Sequence, residues 1–205
     1  MKSGRAYRPR PRSAVSARTR GRIVSAVRDL LADGTFHEST VEDVAARAGV
    51  ARATLYQHFG SRLGLVDAIC DTFDVNPALV ALRKAIELGD VDAALEQTIA
   101  NSVRFWASEE AILQPLYGVA AVDPSAEALV ERQLADRHAE LDRLRGRLRQ
   151  QGRLRAELTD RRALALLLLL TSFETFVELR RRAGLPEREV VATLQESARS
   201  NLLAA

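Results

Sequence analysis

Gly49 is the residue that most constrains how this chain folds. Before it, a short helix is expected to begin after Thr40, a good N-cap, with Asp43 where a capping-box acid would stand. After it, a second helix is expected from about Arg52 to His58, closed by Phe59-Gly60. Val44, Ala48, Val50, Leu55 and Phe59 are the apolar positions expected to face inward. Ala45 is small, as it must be where two helices cross closely. A glycine at the turn takes a positive φ cheaply because it has no Cβ. A helix, a tight glycine turn and a second helix form a helix-turn-helix. The second helix of such a unit lies in the DNA major groove, with its N-terminal residues at the base edges.

The rest of the chain also reads as helical. Val, Ile and aromatic residues form no alternating run between turn signals, so no strands are expected. A first helix over about 17–33 carries Ile23, Val24, Val27, Leu30 and Leu31, and Gly34 stops it. Ser61 can cap a fourth helix over about 62–74, and Asn76-Pro77 breaks the chain after it. Longer helices are expected over 78–88, 91–107, 110–122, 125–151, 160–183 and 187–203, with Pro115 kinking or splitting the third of them. The expected architecture is all-α. A flexible Arg/Pro-rich arm (1–16) leads into a three-helix DNA-binding domain (17–62) and a helical effector-binding and dimerisation domain (63–205).

Charge sharpens this division. Residues 1–22 carry eight basic residues and no acid, in a chain of 205 residues with formal net charge +3. Residues 1–62 sum to +7, which leaves −4 on the remainder. Such asymmetry points to a nucleic-acid partner for the basic end. Because 28 of the 30 basic residues are Arg, a compositional bias of the genome competes as an explanation. The Arg run at 143–155, interleaved with Glu140, Asp142 and Glu157, reads as a wide solvated face.

The stretch Thr40-Val41, Val44-Ala45, Ala48-Gly49-Val50, Thr54-Leu55-Tyr56, His58-Phe59, Gly60-Ser61-Arg62 resembles the DNA-binding signature of the TetR family of transcriptional regulators. The likeness covers about residues 20–70, and Thr171–Leu179 also looks like the penultimate helix of many members. The resemblance implies phosphate contacts from Thr40, Tyr56, His58 and Arg62, and base-edge contacts from Arg52, Thr54 and Gln57, with Ala53 among them. Arg18 and Arg20 of the basic segment are further DNA-binding candidates. Packing against the fourth helix is the alternative reading of Tyr56, and a cap or solvent role that of His58. Arg47 is expected on a solvated face. One departure stands out: Ala51 occupies the position where the family commonly has a capping Ser or Thr.

For the body, the resemblance implies a homodimer and a pocket for a small hydrophobic effector. Leu166, Leu170, Phe173 and Val177 form one stripe on a continuous helix, and Leu169, Phe176 and Leu179 another; the last helix adds Val190, Val191, Leu194, Ala198 and Leu202. The dimer interface is expected on Leu169, Phe176, Leu179 and that last stripe, and a two-fold dimer implies a pseudo-palindromic operator of double-stranded DNA. Pocket candidates are Phe105, Trp106, Leu116, Tyr117, His138, Phe173 and Phe176. The implied mechanism is repression relieved by the effector. A TetR-like activator without a small-molecule effector, or a helical protein-interaction module, is the alternative.

Other classes find little support. The single Cys70 excludes an internal disulfide and a thiolate zinc site. No His-Glu-x-x-His, Glu-x-x-His, phosphate-binding glycine loop or Gly-x-Ser-x-Gly elbow occurs, so no enzyme, cofactor or metal is expected. No apolar run is long enough to span a bilayer, and no signal peptide is legible, so no membrane partner and a cytoplasmic location are expected.

Overall fold

The computed structural model describes residues 12–121 and 124–204. The helices are α1 (Arg12–Ala32), α2 (Val41–Arg47), α3 (Arg52–Phe59), α4 (Arg62–Phe73), α5 (Pro77–Ile86), α6 (Val91–Ala120), α7 (Pro124–Gln150), α8 (Asp160–Leu170), α9 (Phe173–Val177) and α10 (Glu187–Leu202), with a π-helical turn at Glu178–Arg182. The only β feature among the described residues is one isolated antiparallel bridge, Leu154 to Leu203. Two compact units divide between Ile69 and Cys70, inside α4 rather than at its start.

In the first unit α1 begins at Arg12, so residues 12–16 of the expected arm are helical. Residues 1–11 of that arm lie outside the described residues. Ile23, Val27, Leu30 and Leu31 are buried, as their spacing predicts, and they share the core with Phe36, Val44, Ala45, Leu55, Leu65 and Ile69. Val50 and Phe59 are only half-buried.

In the second unit Asn76 caps α5 by accepting from Ala78 N at 2.9 Å, with Pro77 at the first helical position. The Asn76 amide also donates to the buried Glu109 at 2.9 Å and to Ser108 Oγ at 3.1 Å. Two expected breaks are absent: α6 runs unbroken from Val91 to Ala120, through Ser108-Glu109 and through Pro115. The burial of Ile112, Leu113 and Leu116 holds the helix around the proline, which forfeits one backbone hydrogen bond. A break not expected occurs at Thr171-Ser172. Thr171 Oγ1 turns back to Leu167 O at 2.7 Å, and Ser172 caps α9 by accepting from Thr175 N at 3.1 Å. The stripes drawn through 166–179 as one helix therefore change register there. Leu141, Leu144 and Leu148 bury one side of α7, while α10 packs on α6 and α8. No described helix is long and apolar enough to cross a membrane.

Candidate nucleic-acid interface and effector cavity

The turn between α2 and α3 is held from three sides. Thr40 and Asp43 form the expected capping box: Thr40 Oγ1 accepts from Asp43 N at 3.2 Å, and Thr40 N donates to Asp43 Oδ2 at 2.8 Å. The Thr40 hydroxyl also donates to Asp43 Oδ2, and that bond, followed by the one from Thr40 N, holds the Asp43 carboxyl below its ordinary range. Gly49 sits at φ 63°. Arg22 reaches across from α1 and donates through Nε and Nη2 to Ala48 O, at 3.0 and 2.6 Å, and to Gly49 O. Arg62 donates to the carbonyls of Phe36 and Ser39 and stacks 4.2 Å above the Phe36 ring. Gly64 meets the end of α3 so closely that a Cβ there would stand 1.9 Å from Phe59 O.

Arg52, Ala53, Tyr56 and Gln57 are exposed on α3, and Thr54 and His58 are half-buried. Arg52 pairs with Glu42 at 2.6 Å and lies over the Tyr56 ring at 5.3 Å, so its guanidinium is oriented. Ala51 occupies the N-cap position of α3 and offers no side-chain hydrogen bond. Thr40 is exposed, although its hydroxyl is engaged with Asp43 at 2.6 Å. Arg18 is exposed, and Arg20 lies over the Phe59 ring at 4.8 Å. Arg62 donates to two carbonyls of its own unit, so it positions the loop before α2. Arg22, one of the eight basic residues of 1–22, is a clamp as well. Arg47 is exposed and paired with Asp33 at 2.8 Å.

The second unit holds a narrow, mostly apolar cavity. Its walls come from the last turn of α4 (Cys70, Phe73), α5 (Leu79, Leu82, Arg83), α6 (Phe105, Trp106, Leu113, Leu116, Tyr117) and α7 (Leu134, Arg137, Glu140, Leu141), with Thr171 behind. Phe105, Trp106, Leu116 and Tyr117 thus line it as expected. Phe173 and Phe176 stand outside the lining: Phe173 stacks on Tyr117 at 5.3 Å and supports it. His138 is exposed on the outer side of α7, because its neighbour Arg137 takes the inward position. The Trp106 indole donates to Thr171 O at 2.9 Å, which anchors the ring. Burial, and then Glu174, pushes the Tyr117 phenol up to about 12.

The pattern that defines bacterial regulatory proteins of the tetR family matches residues 23–69, the segment that builds this clamped turn. Residues 23–69 form a tetR-family segment. The chain is 37% identical over 89 residues to the HTH-type transcriptional regulator AlkX of Mycobacterium tuberculosis, an alignment covering 43% of this chain and 37% of that protein. The chain therefore spans little more than a third of the length of that relative. Its fold is that of NalD from Pseudomonas aeruginosa, the secondary repressor of the MexAB-OprM multidrug efflux pump. There the TM-score is 0.73 at 21% identity, over 93% of this chain and 98% of that one. A Saccharomonospora viridis protein solved in complex with choline has a TM-score of 0.69 at 16% identity, over 92% and 100% of the two chains.

The expected interface stripe needs correction. Val190, Leu194, Ala198 and Leu202 are buried within the single chain, as is Phe176, so none of them is presented to a partner. Val191 and Leu179 are half-buried, and Leu169 is 58% exposed. The Arg run at 143–155 is also put to use. Arg145 and Arg149 each meet Asp160 at 2.8 Å, Arg153 meets Asp92 at 2.7 Å, and Arg147 donates to the carbonyls of Ile86 and Leu88.

Proposed function

We propose that this chain is a sequence-specific DNA-binding transcriptional regulator. It acts as a homodimer on a pseudo-palindromic operator, and a small effector in the cavity of the second unit releases it. The observation that carries this reading is α3 itself. Arg52, Ala53 and Gln57 are exposed on a helix whose entry turn is fixed by Arg22, Gly49 and the Thr40–Asp43 box. Arg52 suits guanine and Gln57 adenine, while Tyr56 and His58 set register on phosphates. Repression is the favoured sense, because operator occupancy alone blocks polymerase.

Leu169, 58% exposed on α8, is the expected interface residue most open to a second copy. Half-sites about one DNA turn apart, ~34–36 Å, then match two recognition helices. The effector acts by population shift. α4 is one unbroken helix whose first turn carries Arg62 and Gly64 and whose last turn lines the cavity with Cys70 and Phe73. An effector that prefers one arrangement of that wall biases the helix and the spacing of the recognition helices.

The test is to select genomic fragments bound by the full chain and then screen compounds for release. Arg52→Ala and Gln57→Ala should weaken selected fragments and broaden the selected sequence; Leu169→Glu should give a monomer in sedimentation. Selected fragments without two-fold symmetry would exclude the dimeric operator. A reporter placed behind a selected fragment separates repression from activation.

A further inference from the structure

The cavity is apolar almost throughout, yet one guanidinium stands in its wall. Arg137 donates twice from Nη2, to Leu168 O at 2.8 Å and to Thr171 Oγ1 at 2.6 Å. Both acceptors are uncharged. Its Nε and Nη1 hydrogens have no acceptor among the described residues, and it makes no ion pair there.

The other charges at the cavity are accounted for. Arg83 meets Glu140 at 3.0 Å and Asp74 at 2.9 Å, and Asp136 is exposed. The Tyr117 hydroxyl, on the same wall, also makes no hydrogen bond among the described residues. Burial pulls Arg137 below the ordinary arginine range, the largest influence on it, and Tyr117, Glu174 and Glu140 act on it in the opposite sense, none of them in hydrogen-bond contact with it. A half-buried cation with unused donors is costly unless something anionic meets it.

We infer that the cavity takes an amphipathic carboxylic acid, its carboxylate on Arg137 and Tyr117 and its hydrocarbon chain along Phe73, Phe105, Leu113 and Leu116. A guanidinium offers a carboxylate a fork of parallel donors, which an alcohol cannot exploit and a cation would oppose. The aromatic walls alone would also suit a quaternary ammonium. Arg137 decides against it, because that charge would meet a second positive charge. This inference rests on the effector reading above and names the chemistry of the effector.

Trp106 is the only tryptophan of the chain and lines the cavity, so its fluorescence reports occupancy directly. The full-length protein is titrated with dodecanoate, dodecanol and dodecyltrimethylammonium, each below its micelle concentration. Dodecanoate is expected to bind at least about tenfold tighter than dodecanol, the usual worth of a charge-assisted hydrogen bond, with the ammonium weakest. Arg137→Met should shrink the preference for the acid to about twofold while the affinity for dodecanol holds. Tyr117→Phe, a change that keeps the ring and its stacking, should cost several-fold for the acid alone. Equal binding of acid and alcohol, tighter binding of the ammonium, no binding of any probe, or a preference that survives Arg137→Met would each overturn the inference. A DNA-release measurement on a selected fragment runs beside it. If dodecanoate binds with the expected preference and releases no DNA, the ligand chemistry stands and the effector-gated reading falls.

Discussion

The unit ending at Ile69 and the unit beginning at Cys70 are both helical, and arginine clamps carbonyls in each, but one arginine of the second does other work. In the first, Arg22 and Arg62 use their donors on backbone carbonyls and hold a turn still. In the second, Arg147 does the same for the end of α5, while Arg137 keeps donors in hand beside an open cavity. On the proposed function, the turn that presents α3 to DNA is fixed by satisfied groups, while the effector cavity keeps unsatisfied ones.

The largest test of this contrast is Gly64→Ala. A Cβ there would stand 1.9 Å from Phe59 O, and backbone cannot yield as a flexible side chain can. The expected cost is about 3 kcal/mol, at the top of the usual range for overpacking. It is read from the helical signal in urea unfolding, and an unchanged midpoint would remove the close approach from the account.

Arg22→Met comes next, at about 1–3 kcal/mol for a lost charged donor to the Ala48 and Gly49 carbonyls. Trp106 lies in the second unit and reports that unit alone. The first portion of the helical signal should therefore shift while the Trp106 transition stays in place. If both move together, the units unfold as one and the contrast weakens.

A smaller effect is expected in alkali. Tyr117 is pushed up to about 12 from an ordinary 10, so the folded state favours the neutral phenol. That stabilisation is complete below pH 10 and is lost as pH rises from 10 toward 12. Tyr117→Phe should flatten the fall of the urea midpoint over that interval, and an unaltered fall would assign it to other groups. The smallest effect is a gain. Ala51→Ser supplies the missing cap of α3, worth about 0.5–1 kcal/mol, and should raise the midpoint slightly.

What could be foreseen was local. The Thr40–Asp43 box, the left-handed Gly34 and Gly49, and the buried stripe of α1 all follow from residues a few positions apart. Arg22 and Arg62 were illegible because a clamp on a carbonyl and a contact to a phosphate demand the same side chain. The break at Thr171-Ser172 hid behind the leucine run before it; Ser172 three residues before Thr175 was the available signal, a hydroxyl placed to cap a new start. The α10 stripe was legible as apolar but not as inward-facing, since any buried stripe looks alike until its neighbours are known. The cavity was half legible. Large residues on α6 announced themselves, whereas Arg137 did not, because a charge in a mixed helix is expected to face water.

Asn76 has a chemical fate of its own. Its amide caps α5 and bonds to the buried Glu109. Slow hydrolysis of that amide would leave two carboxylates facing each other in the interior. Asparagine ages in this way when the next residue's backbone nitrogen attacks its side chain, and the next residue here is Pro77, which has no N–H to offer. The residue that starts the helix also protects its cap, so the joint between α4 and α5 is built to last as long as the chain does.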